Sequence, residues 1–487
     1  MNGLVRTLSK LIQHDRPWSC LLVALLFKSA LFVVLIMRFR YSAFPGYWGG
    51  ISHDSYSYIE PIEHLLASGS YFPDLRMPGY GLPYGLLRLL LPQAQALNAL
   101  LVLQLIMDAI AVVLLARIAW MITRNRTVFA SVFWVYAISS FVSLYDVLPL
   151  TESLTTSTLV IGTYAAFRSL ERSRLSLALC AGFCFTWAAF MRPVMFPLLM
   201  LPPLIYLMHR TTSMRVRSML AVFSLLPFIA VESAWIGRNY MVHGTFVPIT
   251  TSLLMPDYLE TPNYHVGLVV RSFGGSLTWW DPDAEIRAFN IRDKGEPEWL
   301  ANYQPKPTIP AFATTTDFPM DSLLALAANV QYWNTTQDPA QKRSTFAYIA
   351  KRSDAYVRSF KHEHPWHYHV VAPLRLLGIF TLHSGTYLDL PRPRNVAERS
   401  VKWFYSALYL GTMLLGSAGA IVALFHRRWP RWALIVPLMF GYGLLVHPFV
   451  LRFCEYRYLV PFYPGALVMA VWFVHTLFTR QHADQST

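Results

Sequence analysis

The chain has 487 residues, of which 54% are apolar, 15% aromatic and only 14% charged, with a formal net charge of +14. Soluble domains carry about 25% charged residues, and the mean hydropathy here is +0.36. Disordered, collagenous and small secreted scaffold classes are excluded. No segment has the pattern of a nucleic-acid-binding motif, so no nucleic-acid partner is expected and the positive charge needs another explanation.

About 20 helical residues are needed to cross about 30 Å of hydrocarbon. Apolar runs broken by charged or turn residues place ten spans near Cys20–Met37, Leu97–Met121, Val128–Tyr145, Ser153–Phe167, Leu175–Met191, Val194–Met208, Met219–Ile236, Trp403–Phe425, Ala433–Leu451 and Val460–Phe478. The expected architecture is an all-α polytopic membrane protein in three parts. These are an N-terminal transmembrane core over 1–237 with a first outer loop at 38–96, a mostly helical extracytoplasmic cap over 238–402, and C-terminal transmembrane helices over 403–487. Within the cap, helices are expected near Asp321–Trp333 and Thr345–Arg358, after a Pro-rich stretch from Pro297 to Pro319.

Placing the N-terminus in the cytoplasm puts Arg6, Lys10, Arg16, Arg117, Arg124, Arg126, Arg168, Arg172, Arg174, Arg210, Arg215, Arg217, Arg427, Arg428, Arg431 and Arg480 on that side. Only Asp15, Glu171 and Asp484 oppose them there. The excess charge is therefore a positive-inside topology signal with both termini cytoplasmic, and Met1–Trp18 leads into a retained signal-anchor helix. Cys20, Cys180, Cys184 and Cys454 lie in or beside apolar segments and read as packing residues. Lys28 and Asp108 fall near the middles of the first two spans, where opposite charges pair because either alone is costly.

Candidate chemistry collects on the outer side. The first outer loop contains His53-Asp54-Ser55-Tyr56-Ser57-Tyr58 and then Arg76-Met77-Pro78-Gly79-Tyr80. Asp146 and Glu152 flank the short loop after the third span, Arg192 lies in the turn after the fifth, Arg238-Asn239 closes the seventh, and Glu455-Tyr456-Arg457-Tyr458 opens the tenth. Charges at membrane depth mark functional paths. A carboxylate suits a general base for a hydroxyl, and arginines suit the oxygens of a phosphate.

Taken in order, Asp54 with Tyr58, Arg76-x-Pro78-Gly79-Tyr80, Thr151-Glu152, Arg192-Pro193, Arg238-Asn239-Tyr240 with Gly244-x-x-Val247-Pro248, and Arg457-Tyr458-x-x-Pro461 resemble the GT-C superfamily of membrane glycosyltransferases. Within it, the resemblance is to the branch of protein O-mannosyltransferases and lipid A aminoarabinose transferases. It implies a GT-C fold and an inverting transfer of a monosaccharide from a polyprenyl-phosphate-linked sugar donor to a lipid, glycan or protein acceptor. It also implies a site on the outer face, with a bacterial inner membrane and its periplasmic face as the default location. By the same resemblance Asp54 is the catalytic aspartate and Glu152 a second acid. Arg192, Arg238, Arg457 and Arg375 are candidates for the donor phosphate, while His53, Tyr58, Arg76, Tyr80, Asp146, Asn239 and Glu455 are substrate-site candidates. Two departures argue against a protein acceptor: Ser55 stands where the protein mannosyltransferases have the second residue of an Asp-Glu pair, and no sugar-binding module follows the seventh span.

Such a reaction needs little from the protein. A base activates the nucleophile, positive charge stabilises the departing phosphate, and the phosphate needs no strong general acid. The run His362-Glu363-His364-Pro365-Trp366-His367-Tyr368-His369 holds metal-ligand residue types, but Pro365 interrupts any single helix face and no closed zinc spacing results. No metal ligand is assigned and a divalent cation is left open. The segment reads instead as interfacial, near the mouth where membrane lipids or a lipid carrier would enter, with Lys361 and Arg375 as further phosphate contacts. The competing reading is a transporter or flippase for a lipid-linked or anionic solute, which would be expected to show broken helices or repeats and a midplane site. A non-catalytic scaffold ranks last, because it leaves the outer charges without a role.

Overall fold

A computed structural model describes residues 12, 15–39, 45–71, 76–209, 211–249, 262–274, 309–382, 395–425, 429–452 and 454–484. Among these the regular structure is helical throughout, and no strand is present. The chain divides into two compact units. The first comprises Met1–Leu254, Gly385–Tyr442 and Val460–Thr487, and the second Met255–Ser384 with Gly443–Leu459.

Among the described residues, seven helical segments are long and apolar enough to cross a membrane: Pro17–Arg38, Gln93–Thr123, Arg126–Val147, Met214–His243, Val396–Phe425, Arg431–Leu451 and Tyr456–Phe478. The chain is an integral membrane protein of the all-α class on that basis. The other three expected spans are helical and differ from these in length or polarity. Leu175–Met191 has 17 residues, Pro193–Met208 is a tight 3-10 segment running into a short helix, and Thr151–Arg172 carries four charged residues and eight serines and threonines.

The first unit contains α1 (Pro17–Phe39), α2 (His53–Ser68), α3 (Gly81–Arg88), α4 (Gln93–Thr123), α5 (Arg126–Ile138), α6 (Thr151–Arg172), α7 (Leu175–Met191), α8 (Leu201–Met208) and α9 (Met214–His243). α6 packs between α4 and α7, and all ten residues from Thr151 to Val160 are buried. Two of its hydroxyls are satisfied by turning back on their own helix. Thr156 donates to the Glu152 carbonyl at 2.7 Å and Thr163 to that of Leu159 at 2.8 Å. The boundary expected at 237/238 falls inside α9, which runs on to a left-handed cap at Gly244 with φ of 68°.

Lys28 and Asp108 meet as expected, at 2.8 Å and with neither side chain exposed. The four cysteines are free thiols, Cys180 on an exposed helix surface.

The second unit holds α10 (Pro262–Ser272), α11 (Met320–Thr335), α12 (Pro339–Glu363) and α13 (Ala372–Thr381) around Val266, Phe273, Leu323, Ile349, Tyr356 and Phe360. Both expected cap helices are present. α12 starts earlier than its apolar periodicity indicated, because Asp338 accepts the Ala340 N–H and Pro339 occupies the first helical position. The Pro-rich stretch lies outside the described residues up to position 308.

The first unit also includes α14 (Val396–Phe425) and α16 (Tyr463–Asp484), between which α15 (Ile435–Leu445) intervenes in sequence. α14 and α16 pack backbone to backbone. A Cβ on Gly416 would stand 2.5 Å from the Ala466 carbonyl oxygen, and one on Gly419 would stand 2.4 Å from that of Met469. Small residues at helix interfaces are how membrane helices approach this closely.

Candidate active site

α2 begins with a cap built by two serines: the Ser52 N–H donates to Ser55 Oγ at 3.1 Å. Ser55 is thus a buried structural residue, which accounts for its place beside Asp54. Asp54 occupies the first turn of α2, where the helix dipole favours a carboxylate. The backbone of His53 starts the helix, and its side chain lies outside the described ones.

Arg76 approaches from the segment following α2. Its Nη2 lies 3.7 Å from Asp54 Oδ1, with both side chains about one-third exposed at 36% and 29%. Its Nε donates to Ser57 Oγ at 3.2 Å, and its guanidinium covers the Tyr58 ring at 5.1 Å. On the far side Tyr58 packs against Tyr80, with ring centroids 5.2 Å apart. Asp54 and Arg76 therefore form an accessible acid–base pair above a layer of tyrosines.

That layer is fixed from beneath by Gln104, a residue the sequence reading missed. Tyr80 donates to Gln104 Oε1 at 2.7 Å, and Gln104 Nε2 donates to the carbonyls of Tyr145, Asp146 and Leu148 at 3.0 to 3.1 Å. Burial first, then neighbouring Tyr47 and Glu152, hold the Tyr80 phenol well above its ordinary value, so it remains a donor. A glutamine inside an otherwise apolar span was the available signal.

The Arg76–Tyr80 turn also touches the end of α7. The Trp187 indole donates to the Gly79 carbonyl at 2.8 Å, and a Cβ on Gly79 would meet the Phe190 carbonyl carbon at 2.4 Å. Two residues beyond Phe190, Arg192 donates to Thr151 Oγ1 at 3.2 Å and pairs with Glu152 Oε1 at 2.9 Å. Both members of this pair are buried, at 8% and 2% exposure. Arg238 reaches the same loop from α9. Its Nη2 donates to the Tyr71 carbonyl at 3.1 Å, while Tyr71 OH donates to the Arg76 carbonyl at 2.8 Å. Its guanidinium lies 5.2 Å from the Trp235 ring, and its Nη1 donates to Asn239 Oδ1 at 3.1 Å. Buried Asn239 then donates to the Val247 carbonyl at 3.1 Å.

Tyr71 and the turn 76–80 thus join Asp54, Tyr58, Arg76, Tyr80 and Arg238 directly, and Gly79 touches the end of α7 that leads into Arg192. Asp146 is divided. Its backbone carbonyl serves the Gln104 layer, while its carboxyl is fully buried and accepts from Ser153.

Arg375, Glu455 and Arg457 belong to the second unit. There Arg457 Nε donates to Glu455, which also accepts from Tyr458 OH at 3.3 Å, and Tyr458 stacks on His447 at 4.9 Å. Arg375 lies over Phe312 at 5.3 Å. Arg452, also unforeseen, adopts a left-handed φ of 53° and stacks on Tyr368 at 3.7 Å while donating to its carbonyl at 2.6 Å.

The histidine-rich run spends its rings on structure. His364 Nε2 donates to the Thr314 carbonyl at 3.2 Å and His367 Nε2 to that of Phe273 at 3.0 Å. Trp366 is 70% exposed, as an interfacial residue would be. Among the described residues, no group of three or more His, Cys, Asp and Glu side chains is arranged to hold a metal ion.

Comparison with protein-family models and with curated proteins finds no match to this chain.

Proposed function

We propose that this protein is an inverting glycosyltransferase of GT-C type that uses a polyprenyl-phosphate-linked sugar on the outer face of its membrane. The observation that carries the reading is the accessible Asp54 carboxylate 3.7 Å from Arg76, with Arg238 tied to the same loop. Asp54 accepts the proton of the acceptor hydroxyl. The resulting oxygen nucleophile attacks the anomeric carbon from the face opposite the phosphate, the carbon–phosphate-oxygen bond breaks, and the phosphate departs with the bonding electrons. Arg76 and Arg238 stabilise the charge that develops on it. Buried Glu152 and Arg192 act behind this surface by fixing the end of α7.

The reading extends to ten spans, with α6, α7 and Pro193–Met208 as the remaining three, and to both termini in the cytoplasm. A bacterial inner membrane with a periplasmic site and a lipid or glycan acceptor fits it best. The second reading, a flippase for a lipid-linked anion, is favoured by the buried charges Lys28, Asp108 and Asp146 within the helical core.

The test is transfer from a panel of radiolabelled polyprenyl-phosphate sugars into native lipid extract, by purified wild type and Asp54→Asn. Transfer by the wild type that is lost in the variant supports the enzyme. Donor binding by both proteins without consumption by either supports the flippase.

A further inference from the structure

Toward the end of α4 away from the candidate active site, the first unit holds a small cationic cavity. Its volume is about 170 Å³, and it is lined by Arg117, Trp120 and Met121 of α4 and by Tyr164 and Arg168 of α6. Two guanidiniums, a phenol and an indole share this space, and no carboxylate lines it. One water needs about 10–15 Å³, so the cavity suits a group of phosphate size.

Its depth says what kind of molecule meets it. α4 has 31 residues and is about 46 Å long, against about 30 Å of hydrocarbon. Centred on the bilayer, it projects about 8 Å beyond the hydrocarbon at each end, and Arg117 stands about 9 Å before its last residue, Thr123. Arg117 is therefore level with the boundary at which lipid phosphates begin. Gln104, under the tyrosine layer, lies about 20 Å back along the same helix, so the cavity is separate from the Asp54 surface.

The contacts around the cavity favour an anion. Arg117 Nη1 donates to Tyr164 OH at 3.4 Å, which leaves the hydrogen of that hydroxyl to donate onward. Arg168 pairs with Glu171, whose other oxygen takes Arg124 Nη2 at 3.1 Å, and Arg124 lies 4.5 Å from the Trp120 ring. Glu171 is thus shared by two arginines, while Arg117 adds a further cation to the cavity wall. Arginines that simply snorkel from a span end extend into water. Here Arg168 is only 25% exposed and converges with Arg117 from a different helix.

We propose that this cavity binds the phosphate of an anionic phospholipid. Arg117 and Arg168 contact the phosphate oxygens, Tyr164 donates its hydroxyl to one of them, and Trp120 with Met121 gives the wall the amphipathic character of the membrane interface. Basic pockets between membrane helices take anionic headgroups in this way. A zwitterionic headgroup fits less well, because its own ammonium already neutralises the phosphate. The site does not depend on the transfer reaction.

Native mass spectrometry of the purified, delipidated full-length protein tests this, with phosphatidylglycerol, phosphatidylcholine and inorganic phosphate as probes. Wild type is expected to bind phosphatidylglycerol at least about fivefold more tightly than phosphatidylcholine. Arg117→Gln and Arg168→Gln should each lose about fivefold, the worth of one basic residue near a membrane surface. Arg215→Gln, which removes an exposed arginine from the start of α9, should change nothing. Equal affinity for the two lipids, or as large a loss in Arg215→Gln as in the cavity variants, overturns the proposal. Displacement of phosphatidylglycerol by inorganic phosphate also overturns it, since the site would then serve a soluble phosphate. If the variants do not assemble, wild type is irradiated with phosphatidylglycerol carrying a diazirine on its headgroup. Adducts on 117–121 or 164–168 support the site, and adducts confined to other segments overturn it.

Discussion

Glu152 and Arg192 pair at 2.9 Å where both side chains are almost wholly enclosed, and Arg192 spends a further N–H on Thr151. The pair clamps the first turn of α6 to the end of α7. Breaking a buried pair by removing one partner costs about 3–5 kcal/mol, because the other charge is left uncompensated. Glu152→Gln and Arg192→Gln should each lower the midpoint of thermal unfolding in detergent by a large margin. The double variant should recover part of that loss.

Asp54 stands apart from that clamp, on an accessible surface with Arg76 as its neighbour. Asp54→Asn preserves shape, so detergent-solubilised yield and thermal midpoint should match the wild type while transfer falls by about 10²–10⁴-fold, the range for loss of a general base. Arg76→Ala should weaken donor binding as well. An Asp54→Asn enzyme with normal turnover would remove this residue from the chemistry.

Gly79 should tolerate nothing larger than hydrogen. A methyl group there would collide with the Phe190 carbonyl and the Met191 nitrogen at 2.4 to 2.5 Å, both backbone atoms that cannot rotate away. Gly79→Ala is expected to destabilise by about 1–3 kcal/mol and to reduce transfer, because the displaced turn carries Arg76 and Tyr80. At Gly69 the left-handed φ of 76° comes with open space around the Cβ, so Gly69→Ala should cost about 1–2 kcal/mol of backbone strain with no collision added. Thermal unfolding of the two variants in parallel checks the difference.

The cap should respond to acid through Glu363. The backbone N–H of Thr316 is the main cause that holds this carboxyl below its usual value, helped by the hydroxyls of Thr316 and Ser359. A carboxylate with a depressed folded value stabilises above its unfolded value of about 4.3, and that contribution disappears as pH falls through the lower folded value. The protection factor of the Thr316 amide, its exchange relative to an unstructured amide at the same pH, should be high at neutral pH and fall on acidification below the ordinary carboxylate range. Glu363→Gln should show fast exchange at both.

Much of this arrangement could be read from the residues themselves. The apolar runs located the helices, and the cost of an unpaired charge in hydrocarbon located the Lys28–Asp108 contact. The motif containing Arg76 and Gly79 lies beside Asp54 because a proline and a glycine force a tight turn there. The span read at Ser153–Phe167 is the weakest apolar run of the ten, since Thr and Ser count as polar even where a hydroxyl is satisfied by the preceding turn, as at Thr156 and Thr163. Gln104 and the inward turn of the Asp146 carboxyl were also hidden. Both depend on which side of a helix or turn faces three other chain segments, and that is a property of packing. Span 433–451 is one apolar run, as expected, and its residues from 443 onward group with the second unit. Contacts such as Phe380 with His447 carry no local sequence signature.

The glycine contacts between α14 and α16 bear on traffic from the bilayer. Where Gly416 meets Ala466 and Gly419 meets Met469, the two backbones leave less room than one methyl group needs. A prenyl tail cannot thread between these helices at that level, so the seam acts as a closed wall. Any long-chain carrier that visits this protein from the surrounding lipid must find its doorway along another flank of the bundle.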